Sequence, residues 1–162
     1  MHNGQIGEFE KLRRDLLIAV RADLFTNIKG ATDSQLFFHL LLGQNLESDI
    51  PAAFAATIKI VEDARQNNNV IEPFLLTAVL CDGETLYAVR YATNNKPASL
   101  YLGSDVPLSD FSSGTDAPSE KAILILSKPL DDIRDNWTAV PGNSVVVAAE
   151  NRTYVLPLPV CN

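Results

Sequence analysis

The chain of 162 residues contains 46% hydrophobic and 20% charged residues, a composition that can bury a core and excludes global disorder. Its 13 basic and 20 acidic residues give a net charge of −7, which repels phosphate backbones, so we expect no nucleic-acid partner. No apolar run approaches the roughly 18 residues that cross a bilayer, and residues 1–5 lack the features of a signal peptide. We therefore expect a cytoplasmic protein with no membrane partner.

The first half of the sequence carries helical patterns. Apolar residues at spacings of three and four predict an amphipathic helix over residues 8–21; they are Phe9, Leu12, Leu16 and Val20. Thr32 and Gln35 have the spacing of a capping box, which predicts a second helix through the apolar run at residues 36–42. Pro51, behind Ser48 and Asp49, predicts the first turn of a third helix that ends in the polar run at residues 66–69.

Strand patterns follow from residue 70 onward. An apolar run over residues 74–80, the Asp82-Gly83 turn signal and alternation over residues 84–91 predict a β-hairpin. Further strands are predicted over residues 99–102, 122–126, 144–149 and 153–156, with a loop over residues 103–120 and a turn over residues 150–152. Three helices followed by six strands indicate an α+β fold, in which helices cover one face of a largely antiparallel sheet. No linker interrupts the sequence, so we predict a single domain over residues 1–162, with no strand ahead of the first helix.

Cysteine and histidine are scarce. Cys81 and Cys161 form no Cys-x-x-Cys motif, and the only histidines are His2 and His39. This argues against a Cys/His zinc site, and we expect neither a metal nor another cofactor. Cys81 ends an apolar run with no histidine nearby in the sequence to activate its thiol, so we predict a buried small hydrophobe. His39 lies inside an apolar run and is predicted to be a core or interface residue.

Two short motifs carry candidate chemistry. In His2-Asn3-Gly4, the Asn3 amide and a backbone N–H can point in one direction and hold an oxyanion, although Asn-Gly is also a common tight-turn dipeptide. Asp33, in the motif Thr-Asp-Ser-Gln, can accept a substrate ammonium group, although such residues also cap helices. Taken singly, these residues leave both interpretations open.

Taken together, the motifs resemble the class II glutamine amidotransferase family, in particular its stand-alone members that hydrolyse γ-glutamyl compounds. The resemblance extends over nearly the whole chain. The segments that carry it are MHNGQIG at residues 1–7, GATDSQ at residues 30–35, CDGETLYAVRY at residues 81–91, LSKPL at residues 126–130 and WTAVPG at residues 137–142.

This resemblance implies both a fold and a mechanism. The fold is the N-terminal-nucleophile hydrolase sandwich, a four-layer αββα arrangement of mainly antiparallel sheets, of which this chain is the C-terminal part. The mechanism is hydrolysis of a small γ-glutamyl substrate through a thioester, on a cysteine at the mature N-terminus that uses its own α-amine as the base. In this mechanism Asn3 and Gly4 form the oxyanion hole, and Asp33 binds the α-ammonium group.

The sequence departs from the family pattern at two places. Gln35 stands where the family usually has Glu, and Gln can still complete the capping box. The family's N-terminal portion, with the nucleophilic cysteine and an arginine for the substrate carboxylate, has no counterpart here, and neither His2 nor Cys81 can replace that cysteine. We therefore expect no activity from the chain alone, and assembly with the N-terminal segment or another protein chain. The alternative is a degenerate, non-catalytic relative that binds a glutamyl group or a protein partner.

Overall fold

The computed structural model describes residues 1–107, 121–131, 133, 136–149 and 152–160. The elements in chain order are β1 (His2–Ile6), α1 (Phe9–Ala19), α2 (Ala22–Phe25), α3 (Asp33–Leu42), α4 (Ile50–Asn67), β2 (Phe74–Cys81), β3 (Thr85–Ala92), β4 (Tyr101–Pro107), β5 (Lys121–Leu126), β6 (Thr138–Ala139), β7 (Ser144–Ala149) and β8 (Arg152–Pro157). None of the helices in this part of the chain combines the length and the apolar character that a membrane crossing requires.

The strands form two antiparallel sheets. The larger has the order β1-β2-β3-β7-β8, and the smaller has the order β5-β4-β6. Every strand pair in both sheets runs antiparallel. The predicted α+β class with antiparallel sheets is thus confirmed, and β1 and β8 are the two edges of the larger sheet.

The described elements stack in three layers. The largest apolar cluster joins α1, α3 and α4 to one face of the five-stranded sheet, with Phe54 and Phe74 at its centre. A second cluster fills the space between the two sheets, where Ala88 and Val146 pack against Leu102. Helices, large sheet and small sheet therefore form three layers of the expected αββα sandwich.

The helix starts follow from local chemistry. The Thr32 hydroxyl oxygen accepts a hydrogen bond from the Gln35 N–H at 3.3 Å, which caps α3 as predicted. Asp49 caps α4 by accepting from the Ala52 N–H at 2.9 Å, with Pro51 in the first turn. These caps determine the residues at which α3 and α4 begin. Asp33, one of the candidate residues, is the first residue of α3.

Several predicted boundaries are wrong. Residues 2–6 form the strand β1, although no strand was predicted ahead of the first helix; its ladder with β2 is a long-range pairing that local propensity does not reveal. The loop predicted from residue 103 is wrong for residues 103–107, because β4 continues to Pro107 across a register shift between Gly103 and Val106. The short elements α2 and β6 were not predicted. Residues 108–120, residues 150–151 of the predicted turn, and Cys161 lie outside the described residues.

Candidate functional site

The backbone of β1 presents alternate N–H groups to its two sides. Met1 and Val79 exchange two hydrogen bonds, each 2.8 Å long. Because such bonded pairs alternate in an antiparallel ladder, the N–H groups of His2, Gly4 and Ile6 point away from β2. The Ile6 N–H agrees with this direction, since it donates to Asp33 Oδ2 at 3.0 Å. The Gly4 N–H therefore faces the side of β1 that has no strand partner in the described part of the chain.

The Asn3-Gly4 dipeptide lies within this extended strand, so the tight-turn interpretation is wrong. Ile6 is buried in the core under the helices, and side chains alternate along a strand, so Asn3 projects to the opposite face, where it is exposed. A methyl group at Gly4 would lie 2.0 Å from the Leu75 carbonyl oxygen, so glycine is the residue that lets the two strands approach. The structure thus offers an exposed amide from Asn3 and an outward N–H from Gly4.

Asp33 joins the start of α3 to β1. Its Oδ2 accepts from the Ile6 N–H, and its Oδ1 accepts from the Ser34 N–H at 2.7 Å and from the Ser34 hydroxyl at 3.3 Å. The side chain is half-buried. Because Ile6 is two residues beyond Gly4, all three residues predicted for the site lie at one edge of the large sheet: Asn3, Gly4 and Asp33.

His2 extends this group of polar side chains. Its Nδ1 lies 2.5 Å from the Ser34 hydroxyl oxygen, and its ring stacks on Phe37 with centroids 6.2 Å apart and an interplanar angle of 15°. Burial lowers the pKa of His2 below its usual value and outweighs the opposite effect of the Asp33 carboxylate. The imidazole is therefore neutral near pH 7, and its Nε2 is buried without a hydrogen-bond partner among the described residues.

The chain is similar to a curated yeast protein and to a solved bacterial structure, although no sequence profile of a known family matches it. Over an alignment of 183 positions it is 28% identical to the probable glutamine amidotransferase DUG3 of Saccharomyces cerevisiae, covering 98% of the chain and 51% of the yeast protein. It also superposes over its whole length on the structure of a glutamine aminotransferase class-II domain protein from Silicibacter pomeroyi, with a TM-score of 0.82 and 27% identity. The chain therefore resembles a glutamine amidotransferase in sequence and a class-II glutamine aminotransferase domain in fold. The chain spans about half the length of the yeast relative and 67% of the bacterial one.

The predicted capping box at the start of α3 is only half formed. The Thr32 hydroxyl oxygen accepts from the Gln35 N–H, but Gln35 Oε1 does not return the bond to Thr32. It accepts instead from the Gly30 N–H at 2.6 Å. Gln35, which stands where the resembled family usually has Glu, therefore tethers the loop before Asp33.

Cys81 is exposed, so its predicted burial is wrong. It lies at the end of β2, where the burial of the strand decreases, and its Sγ accepts from the Gly83 N–H at 3.3 Å. Gly4 pairs with Leu76, so Cys81 is five residues farther along β2, about 17 Å at 3.3–3.4 Å per residue. The thiol is thus far from the candidate site. The core prediction for His39 is confirmed, because the residue is 7% exposed and its Nδ1 lies 2.8 Å from the Gln35 carbonyl oxygen.

A second polar cluster, which the sequence did not reveal, joins α4 to β3. Arg65 is 5% exposed and lies 2.5 Å from the Glu62 carboxylate. The Arg65 guanidinium also donates to the carbonyl oxygens of Val70 and Glu72 and to the hydroxyl of Thr93. The remaining partners of Glu62 are the Tyr91 hydroxyl at 2.9 Å and the Thr93 hydroxyl at 2.5 Å.

This Glu62–Arg65 cluster satisfies its charges within the chain. Burial, reinforced by the Glu62 carboxylate, raises the pKa of Tyr91 well above its usual range, so its hydroxyl stays protonated as a donor. Within the described ranges, no group of three or more histidine, cysteine or acidic side chains is arranged to hold a metal ion. The Asp33 edge is therefore the better candidate for ligand chemistry.

Proposed function

We propose that the chain is part of a class II glutamine amidotransferase domain that hydrolyses a γ-glutamyl amide. The observation that carries the proposal is the hydrogen bond between Asp33 and the Ile6 N–H. It holds a carboxylate beside the strand whose Gly4 N–H faces the same open edge. An acceptor for an ammonium group and donors for an oxyanion are what recognition and hydrolysis of a γ-glutamyl amide require.

In the proposed reaction, the nucleophile is an N-terminal cysteine supplied by a segment outside these 162 residues. Its thiol gives a proton to the α-amine and attacks the γ-carbonyl carbon of the substrate. The Asn3 amide and the Gly4 N–H stabilise the negative charge on the carbonyl oxygen. The proton passes to the leaving nitrogen, ammonia departs, and water hydrolyses the thioester to release the γ-carboxylate.

Asp33 has the capacity to bind the substrate ammonium while it holds β1. A carboxylate has about four lone-pair positions, and the donors of Ile6 and Ser34 leave room for a further one. A charge-assisted hydrogen bond contributes about 1.5–3 kcal/mol. We expect Asp33→Asn, which keeps an acceptor for the Ile6 N–H, to raise KM by about tenfold or more with a smaller change in kcat.

A non-catalytic glutamyl-binding module is the second candidate. The observation that favours it is the position of Cys81, the one cysteine among the described residues, about 17 Å along β2 from the candidate site. In this case Asp33 binds the ammonium group and no hydrolysis follows.

The deciding experiment joins residues 1–162 to a family N-terminal segment that begins with cysteine, and measures ammonia released from L-glutamine. We expect release that is lost when that cysteine is changed to alanine, and that falls about 10²–10³-fold with Asn3→Ala. Cys81→Ser is the matched control and retains full activity. Hydrolysis by the 162-residue chain alone, abolished by Cys81→Ala, contradicts the proposal. Glutamine binding that needs Asp33, with no release from the joined protein, supports the non-catalytic module.

A further inference from the structure

The hydrogen atoms shared by His2, Ser34 and Asp33 can be assigned from the distances. Ser34 has one hydroxyl hydrogen, and its oxygen lies 2.5 Å from His2 Nδ1 and 3.3 Å from Asp33 Oδ1. If this hydrogen points to His2, Nδ1 is the acceptor and Nε2 carries the ring hydrogen, which is buried without a partner among the described residues. Ser34 Oγ and Asp33 Oδ1 then face each other with lone pairs only. If Nδ1 carries the hydrogen, His2 donates to Ser34 and Ser34 donates to Asp33, so both contacts are hydrogen bonds. The second arrangement satisfies more groups and leaves only an acceptor unpaired.

The imidazole is fixed in the orientation that this arrangement needs. Its ring lies nearly parallel to Phe37, a residue that is itself 4% exposed in the core. Burial lowers the pKa of His2, so the ring is neutral and has a single N–H. A ring with one N–H and a fixed plane directs that hydrogen at the Ser34 hydroxyl.

We propose that His2 and Ser34 are positioning residues that orient the Asp33 carboxylate toward the substrate ammonium. This inference rests on the proposed function, because it assigns the ammonium group as the ligand of Asp33. The backbone N–H groups of Ile6 and Ser34 each fix one carboxylate oxygen, and the His2–Ser34 chain adds a third donor that sets the rotation of the group. The lone pair of Asp33 that remains free then has a fixed direction, so the carboxylate binds the ammonium group without having to rotate.

A matched pair of ligands isolates the ammonium group. L-Glutamine and glutaramate carry the same γ-amide and carboxylate, and they differ only in the α-ammonium group. The ratio of their dissociation constants for the 162-residue chain, measured by NMR titration, therefore reports the Asp33–ammonium contact. We expect the wild-type chain to prefer glutamine by about tenfold or more, and Asp33→Asn to abolish the preference.

The positioning residues are tested with the same ratio. We expect Ser34→Ala and His2→Phe to lower the preference for glutamine about threefold to tenfold, and to change glutaramate affinity less than about twofold. His2→Phe keeps the aromatic stack on Phe37 and removes the donor. Ser34→Thr keeps the hydroxyl, and His2→Asn places an amide nitrogen near the position of Nδ1, so both conservative variants should retain the preference.

The outcomes separate this inference from the proposed function. A wild-type chain that does not bind glutamine, or does not distinguish it from glutaramate, overturns this inference and the assignment of the ammonium group to Asp33, whereas ammonia release by the joined protein tests the hydrolysis separately. If Asp33→Asn abolishes the preference while Ser34→Ala and His2→Phe retain it, the positioning role alone is wrong. Equal losses for the two ligands in Ser34→Ala indicate a general structural role and also contradict the positioning role. Ser34→Ala removes a single oxygen atom, so the test does not depend on whether His2→Phe folds.

Discussion

The Asp33 cluster, formed by His2, Ser34 and Asp33, and the Glu62–Arg65 cluster both join polar and charged side chains through hydrogen bonds. They differ in whether those bonds satisfy every polar group. Around Arg65, each charged group finds its partners inside the chain, between α4, β3 and the residues that precede β2. Around Asp33, the bonds lead to the edge strand β1, where the Gly4 N–H faces outward and His2 Nε2 is buried without a partner in the described part of the chain. We call the Glu62–Arg65 cluster closed, because its charged groups are paired within the chain. We call the Asp33 cluster open, because it keeps hydrogen-bonding groups without a partner in the described residues.

This difference separates a structural role from a binding role. A buried ion pair contributes little net stability, but it becomes costly when one partner is removed. A polar cluster with unused acceptors at a sheet edge can instead form additional favourable hydrogen bonds with a ligand. Substitutions in the closed cluster should therefore lower mainly the free energy of unfolding, and substitutions in the open cluster should lower mainly the affinity for a ligand.

The largest expected effect is that of Arg65→Met. The variant keeps an apolar stem but leaves the mostly buried Glu62 carboxylate without a counter-charge, so we expect the free energy of unfolding to fall by about 3–5 kcal/mol. Urea titration measures it. Asp33→Asn is the matched substitution in the open cluster and should cost about 1 kcal/mol or less. Equal losses of unfolding free energy in Arg65→Met and Asp33→Asn would contradict the assignment of different roles to the two clusters.

A smaller loss of stability is expected from Gly4→Ala. Its methyl group would meet the Leu75 carbonyl oxygen at 2.0 Å, and backbone on both sides must shift. We expect a loss of about 2–3 kcal/mol and loss of glutamine binding. Gly142→Ala is the control, because its methyl group would meet only the Pro97 ring at 3.2 Å, and it should cost less than about 1 kcal/mol. A fully stable Gly4→Ala chain would show that β1 does not approach β2 as described.

The pH dependence of stability should carry a contribution from the open cluster. The folded-state pKa of His2 lies below its unfolded value of 6.5 because the ring is buried. Protons therefore bind the unfolded chain first, and stability that is present above pH 6.5 falls as the pH drops toward the folded-state pKa. Urea titrations from pH 7.5 to pH 5 should show this fall in the wild-type chain and a flatter profile in His2→Phe. Identical profiles would mean that His2 is not buried as the structure shows.

The smallest effect is expected at Cys81, which belongs to neither cluster. Because the side chain is exposed, Cys81→Ser should change the free energy of unfolding by less than about 0.5 kcal/mol. In a Cys161→Ser background, the remaining thiol should react with a thiol reagent at once in the folded chain. Reaction only after denaturation would show that Cys81 is buried.

The elements with strong local signals could be predicted from the sequence. The periodic apolar residues of α1, the Thr32 and Asp49 caps and the Asp82-Gly83 hairpin each specify their structure within a few residues. The order of helices and strands then indicated the antiparallel α+β class. The motifs around Asn3 and Asp33 indicated the resemblance to class II glutamine amidotransferases, and the structure places these residues at one edge of the large sheet.

The features that depend on long-range pairing could not be predicted. The Asn3-Gly4 dipeptide favours a turn locally, and only the ladder with β2 makes it a strand. The i, i+3 spacing of Glu62 and Arg65 is typical of an exposed helix pair, and their burial follows from packing against Tyr91 and Thr93. His2 lacked a signal because its partner Ser34 is 32 residues away.

The most direct test of the central claim, that the open cluster is the ligand site and the closed one is not, is a ¹H–¹⁵N NMR titration of the chain with L-glutamine. We predict saturable shifts of the Gly4, Ile6 and Ser34 amide signals, with the Val70 and Thr93 signals unchanged. The same shifts should disappear in Asp33→Asn. Shifts centred on Val70 and Thr93, or none at Gly4, Ile6 and Ser34 at saturating glutamine, would contradict the claim.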